Sequence, residues 1–363
     1  MNGENKRIRD ITERTIAYLS DVRPEFAETA PIGIVDFVKW EWPQGVALFT
    51  LWRYYRLTGD GAVLKRIVDW FDDRFREGLP EKNVNTMCPL LAMTYLYEET
   101  RDEKYLPYLH EWADYALNKL PRTEEDGIQH IVTGVENRQQ LWDDTLYMTV
   151  LFLARYGRLF HKSEFVEESK YQFLLHIKYL TDRKTGLWYH GWSFLRGDHF
   201  AGALWARGNS WFTAAVPDYL EMCELSPAEK RFILTAFRRQ AAALVGCQDA
   251  SGLWHTLLDD PGSYTEASAT ANFAYGLLKG VRTGLLDETY AAPAEKAAEA
   301  LIGCVDANGA VRQVSYGTGM GDTLDFYKEI AICPMPYGQT LTALALMEYE
   351  TYLAARGSGK GRS

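Results

Sequence analysis

Two adjacent carboxylates, Asp143 and Asp144, follow Trp142 and open an apolar run that includes Leu146, Val150, Leu153 and Leu159. The run has helical spacing, with Phe152 and Tyr156 close by, and reads as a buried or half-buried helix. A ring and two acids at the mouth of such an element call for an explanation, because burying a carboxylate without partners is costly. Helix capping is one, since first-turn acids satisfy free N–H groups and complement the dipole. A functional acidic pair is the other. The residues that can share a site with the pair decide between them.

A second group is Trp205-Ala-Arg207-Gly-Asn209, just before another apolar segment. An Arg at a helix N-terminus opposes the dipole and needs a further reason to be there. An anionic substrate supplies one, because a guanidinium binds a carboxylate in bidentate fashion. His190 stands between Tyr189 and Trp192 after a reverse turn, a setting suited to a ligand. Trp42, His130 and Tyr264 lie in comparable loops. Rings that stack on sugar faces, beside polar groups that hold hydroxyls, are what a carbohydrate cleft needs. A loop Trp is more often a packing anchor than a subsite, so each ring counts only in company.

Other chemistries fit poorly. The 49 acidic and 39 basic residues leave a net charge of −10, against the basic face that nucleic acid requires. There is no HExxH motif and no paired CxxC, so no metal is expected. Gly317-Thr-Gly-Met-Gly321 is glycine-dense but follows no strand and precedes no Lys-Ser/Thr, so it reads as a closely packed loop, and no cofactor is expected. The first ten residues are hydrophilic and lack a signal core, and no segment has the apolar length of a membrane span. Five widely spaced cysteines suit reduced structural thiols. The expectation is a cytoplasmic protein, a monomer or weak homo-oligomer, with no membrane partner.

These candidates need elements to position them. Periodicity predicts twelve helices, near 6–20, 44–57, 62–77, 85–99, 104–119, 140–160, 164–181, 209–223, 227–247, 267–283, 289–304 and 336–355. They form six pairs, joined alternately by brief polar links and by long loops rich in Trp, Tyr, His and Gly. The pattern recurs every roughly 60 residues, a period that signals stacked helical hairpins. Four long loops share an Asp/Gly turn with an apolar step after it: Asp126-Gly127, Asp182 to Gly186, Asp249 to Gly252 and Asp306 to Gly309. Six hairpins closed in a ring give an all-α (α/α)6 barrel with the long loops on one rim. The more apolar helices after those loops would line the inside, and the charged ones the outside. Residues 1–355 read as one catalytic domain and 356–363 as a disordered polar tail.

Four stretches carry a resemblance: Leu141-Trp-Asp-Asp-Thr-Leu-Tyr-Met148, Leu204-Trp-Ala-Arg-Gly-Asn209, Ser263-Tyr-Thr-Glu-Ala-Ser268 with Ala-Thr-Ala after it, and Gly317-Thr-Gly-Met-Gly-Asp322. In order and kind they resemble glycoside hydrolase family 105, the unsaturated rhamnogalacturonyl hydrolases, from about Trp40 to Tyr349. The resemblance implies an (α/α)6 barrel that acts on an oligosaccharide ending in a Δ4,5-unsaturated uronate. It implies hydration of the C4=C5 enol ether: an acid protonates C4, water adds at C5, and the hemiketal collapses to free the leaving sugar. Asp144 matches the family's catalytic Asp, acting as acid to C4 and then as base toward water. Trp142 and Asp143 would raise its pKa, and the helix N-terminus would lower it. Trp205 and Arg207 would bind the uronate, Arg207 through its carboxylate, and His190 and Trp42 match the pattern around that sugar. The related unsaturated glucuronyl hydrolases of family 88 carry a second Asp near the start of the second inner helix. Here that neighbourhood is Asn85-Thr-Met-Cys88, which turns the expectation away from glycosaminoglycan fragments. An unsaturated glucuronyl hydrolase with another aglycone, an (α/α)6 epimerase and a non-catalytic oligosaccharide-binding protein are the alternatives.

Overall fold

The computed structural model describes residues 3–22 and 36–359. Its long helices are α1 (Gly3–Tyr18), α2 (Trp42–Thr58), α3 (Gly61–Glu77), α4 (Cys88–Thr100), α5 (Leu106–Asn118), α6 (Leu151–Leu159, entered through a π-helical segment Leu146–Val150), α7 (Ser163–Leu180), α8 (Ala206–Met222), α9 (Pro227–Cys247), α10 (Ala267–Arg282), α11 (Ala291–Cys304) and α13 (Pro336–Gly359). A short α12 (Leu324–Lys328) lies in the last long loop.

Helices α2, α4, α6, α8, α10 and α13 pack each against the next, and α13 closes on α2. Outside this ring, α1 packs on α13, α3 on α2, α5 on α4 and α6, α7 on α6, α9 on α8 and α11 on α10. This is the expected (α/α)6 barrel. The two circles follow from composition. In α2 every residue from Trp42 to Trp52 is buried, as an element covered on all sides requires. In α3 the buried residues are Ile67, Trp70, Phe71 and Arg74, a single stripe. Local chemistry sets the ends: Gly59 closes α2 in the left-handed region, and Ser226 with Glu229 forms a capping box on α9.

The repeated turns share a construction. Asp182, Asp249 and Asp306 accept backbone N–H groups of the residues just after them, and Gly186, Gly252 and Gly309 take φ of 89°, 95° and 95°. The chain then runs inward to be held by a polar side chain of a helix. The backbone N–H groups of Ile128, Trp188, Trp254 and Val311 donate to Gln172, Asn209, Thr270 and Gln339. Trp188 and Trp254 are therefore fully buried packing anchors.

Two expectations need correction. The helix expected from residue 140 starts later, because Gln140–Trp142 is a strand (β1) paired antiparallel with Gly191–Ser193 (β2). Its ladder hydrogen bonds hold the backbone extended until the turn at Asp143. A second small pair joins Trp254–His255 (β3) to Thr265–Glu266 (β4). The last helix does not stop at 355: it continues to Gly359, and Arg356 pairs with Glu295 of α11 at 3.0 Å. Residues 360–363 of the expected tail lie outside the described residues.

Candidate active site

The N-terminal ends of the inner helices converge on one rim, and the β1–β2 pair sets the central residues there. The Asp143 N–H donates to the carbonyl of His190 at 3.1 Å, and the His190 N–H to that of Ala203 at 3.1 Å. The loop holding Trp205 is thereby tied to the strand that ends in Trp142. Asp143 falls in the turn after β1, and Asp144 begins the helical conformation.

Asp144 is held from two sides. Trp211, one turn past Arg207 on α8, donates its indole N–H to Oδ1 at 3.0 Å. His190 Nε2 lies 3.4 Å from Oδ2. Neither Oδ2 nor that imidazole nitrogen makes a hydrogen bond among the described residues; Oδ2 is shielded from solvent, and the 16% exposure of the Asp144 side chain lies elsewhere on it. The other nitrogen of His190 is 2.7 Å from the hydroxyl of Tyr327 on α12. Burial pushes the Asp144 carboxyl up, but His190, through contact and charge, and then His130 outweigh it and hold it below the usual carboxylate range.

Asp143 is the opposite case. Its side chain is fully buried, and among the described residues no N–H or hydroxyl donates to either oxygen. It makes no helix cap there. Burial, reinforced by the adjacent Asp144, raises its pKa well above the carboxylate range. Donor atoms of Asp143, Asp144 and His190 lie within 4.8 Å of one another. A cation among them would need the charged form of Asp143, which burial disfavours, and no metal role is assigned to these residues. The backbone of α8 closes the far side: a Cβ on Gly208 would fall 2.2 Å from Asp143 Oδ2.

Rings surround this centre. Trp142 stacks on His130 with centroids 4.2 Å apart, and His190 lies 5.1 Å from Trp142 and 4.3 Å from Trp205. His130 also contacts the Thr145 hydroxyl at 2.9 Å; burial lowers its pKa to about 4, so it is neutral at pH 7. Trp42 packs edge-on to Trp211 and lies 4.7 Å from Tyr337.

Arg207 is buried and already engaged. It donates to Ser268, to the carbonyls of Ser315 and Tyr316, and to the hydroxyls of Ser315 and Thr318, while its charge lies over Trp205 and 3.8 Å from Glu266. Direct bidentate pairing with a ligand would require exchange of some of these bonds. Glu266 itself is fully committed, accepting from Ser268, Ala269 and Ser315.

Trp42, His130, Trp142, Asp143, Asp144, His190, Trp205 and Arg207 thus form one contiguous cluster. Tyr264 stands at its edge, its hydroxyl donating to the carbonyl of Tyr327 at 3.1 Å. Sequence reasoning missed Trp211 and Tyr327. Trp211 had a signal, since it follows Arg207 by four residues on one helix and must share its face. Tyr327 had none, because the short helix that carries it has no periodicity to read.

A family model described as Glycosyl Hydrolase Family 88 matches residues 12–353. The chain is 35% identical over 298 residues to the unsaturated rhamnogalacturonyl hydrolase YesR of Bacillus subtilis, covering 82% of this chain and 85% of that protein. A crystal structure from Salmonella enterica serovar Paratyphi A, described as a possible member of the GH105 family, superposes with a TM-score of 0.94 at 48% identity, covering 96% of this chain and 94% of that one. A second so described, from Klebsiella pneumoniae, gives 0.92 at 46%, covering 97% and 94%.

Proposed function

The chain belongs to Glycosyl Hydrolase Family 88 as its model draws that family, and with it to the unsaturated rhamnogalacturonyl hydrolases of family 105; from that membership we propose that it frees a Δ4,5-unsaturated galacturonate from rhamnose-containing pectin fragments. It is a glycoside hydrolase, and its substrates are oligosaccharides that end in an unsaturated uronate. Asp144 is the group that moves the proton.

The observation that carries this reading is the state of Asp144. Among the carboxyls of the cluster, Glu266 has every oxygen committed and Asp143 is sealed. Asp144 alone pairs firm anchorage, through Trp211, with an unpaired oxygen on a side chain that is partly exposed. An acid so held gives its proton to C4 of a sugar lodged among Trp142, Trp205 and Trp42, and then draws one from the water that attacks C5. No covalent glycosyl-enzyme forms, so the spacing of two carboxylates that governs ordinary glycosidases does not govern this site. Arg207 sets positive charge behind the Ser315–Thr318 turn, where the uronate carboxylate would lie. All five cysteines are free thiols, a state that a reducing cytoplasm preserves.

A second reading keeps the uronate chemistry and changes the leaving sugar, as in the unsaturated glucuronyl hydrolases. The turn before α4 favours the first: Asn83 and Thr86 bond each other there, and no carboxylate stands between Asn83 and Cys88. Comparing kcat/KM on unsaturated galacturonyl-rhamnose and on unsaturated glucuronyl-hexosamine decides it. Preference for the rhamnoside is expected, and preference for the hexosamine would install the second reading.

A further inference from the structure

The proposed chemistry asks Asp144 to deliver a proton, yet its surroundings favour its charged form. The structure holds a carboxyl suited to keep that proton, and the inference rests on the reading of Asp144 given above. Among the described residues Asp143 has no ion-pair partner and no donor to either oxygen, and it has no solvent exposure. An ionised carboxylate so placed is strongly disfavoured, whereas a protonated one needs a single acceptor. The groups that face it are few. Asp144 adjoins it, His190 approaches from the strand pair, Tyr327 approaches from α12, and α8 presents only the backbone at Gly208. His190 Nε2 is also unpaired, but it is the Asp144 carboxylate whose side chain pairs with that of Asp143 and raises its pKa, so Asp144 is the acceptor.

We propose that Asp143 and Asp144 share one proton, with Asp143 as its resting place and Asp144 as the group that delivers it. Asp143 acts through its neighbour and never touches the sugar. The cycle balances. The Asp143 O–H passes its proton to Asp144, and Asp144 transfers a proton to C4, forming a C–H bond and leaving the positive charge at C5. Water bonds to C5 and loses a proton to Asp144, which restores the shared proton to the pair. Gly208 fixes the geometry, since any larger residue there would drive Asp143 from its place.

The test compares wild type, Asp143→Asn and Asp144→Asn. The Asp143→Asn variant keeps the shape of the side chain but holds no transferable proton there. Asp144 must then be protonated from solvent, so kcat at pH 7 falls about a hundredfold with KM little changed, and activity recovers toward acidic pH. An unaltered pH profile, or an equal loss at every pH, would overturn the proposal. Infrared difference spectra at pH 7 test the same assignment without substrate and without reliance on a single variant. Subtracting Asp143→Asn from wild type should reveal the C=O band of a protonated carboxylic acid, and subtracting Asp144→Asn the band of an ionised carboxylate. The reverse pattern, or carboxylate bands in both, overturns the shared proton. Failure to turn over any unsaturated uronide would instead count against the functional reading, and the spectra would still decide the proton's location.

Discussion

The indole N–H of Trp211 lies 3.0 Å from Oδ1 of Asp144, so the inner helix after the fourth long loop supports a carboxylate carried by the third. The bond fixes one oxygen and leaves the other unpaired among the described residues, 3.4 Å from Nε2 of His190.

Trp211→Phe keeps most of the ring packing against Trp42 and Tyr147 and removes the donor. A hydrogen bond to the charged form lowers a carboxyl's pKa, so its loss raises that of Asp144. The expected outcome is a kcat reduced about tenfold and a pH optimum moved upward, read from pH–rate profiles. The stability that this bond gives the carboxylate exists above the unfolded carboxyl pKa and fades as pH falls through the depressed folded value. The variant should therefore resemble wild type most closely in acid.

Gly208→Ala places a methyl group against Asp143 where no space exists. Asp143 cannot retreat, because it is sealed on all sides, so it must shift toward Asp144. The expected cost is about 1–3 kcal/mol in denaturant unfolding, together with a fall in kcat larger than the loss of stability explains. Full activity with a lowered midpoint would show that the position of Asp143 is irrelevant to turnover.

His176 on α7 is fully buried, and burial lowers its pKa from 6.5 to about 4. In the unfolded chain the ring binds a proton below about pH 6.5, which the folded state resists until about pH 4. Stability is therefore lost as pH falls across that window. His176→Gln should remove about 3 kcal/mol of the pH dependence between pH 6.5 and 4, measured by denaturant unfolding at both pH values. An unchanged slope would contradict the burial of a neutral imidazole there.

The barrel was legible because its two circles differ in composition, all-round apolar in α2 and striped in α3, and because Asp/Gly turns recur at one period. Local pattern could not find β1: three residues are too few to display alternation, and their pairing with Gly191–Ser193 is a contact across the chain. The same limit applies to the site. Trp142, His130 and His190 were identifiable as loop rings and imidazoles, but whether Trp188 and Trp254 faced the cleft or the core depended on Asn209 and Thr270, which draw them inward. Arg207 was legible as a cation needing a reason. Its reason includes the Ser315–Thr318 turn, more than a hundred residues away. For Asp143, burial without a hydrogen-bond donor speaks against capping, and burial is not encoded by neighbouring residue types.

The most direct measurement is the ultraviolet absorbance of the C4=C5 double bond in an unsaturated galacturonyl-rhamnose disaccharide, followed with wild type and with Asp144→Asn. Wild type should abolish the absorbance as the double bond is hydrated, and the variant should be slower by about a thousandfold with little change in KM. Equal rates from the two proteins would contradict the assignment of Asp144, and an unchanged absorbance with both, on glucuronides as well, would contradict the hydration chemistry itself.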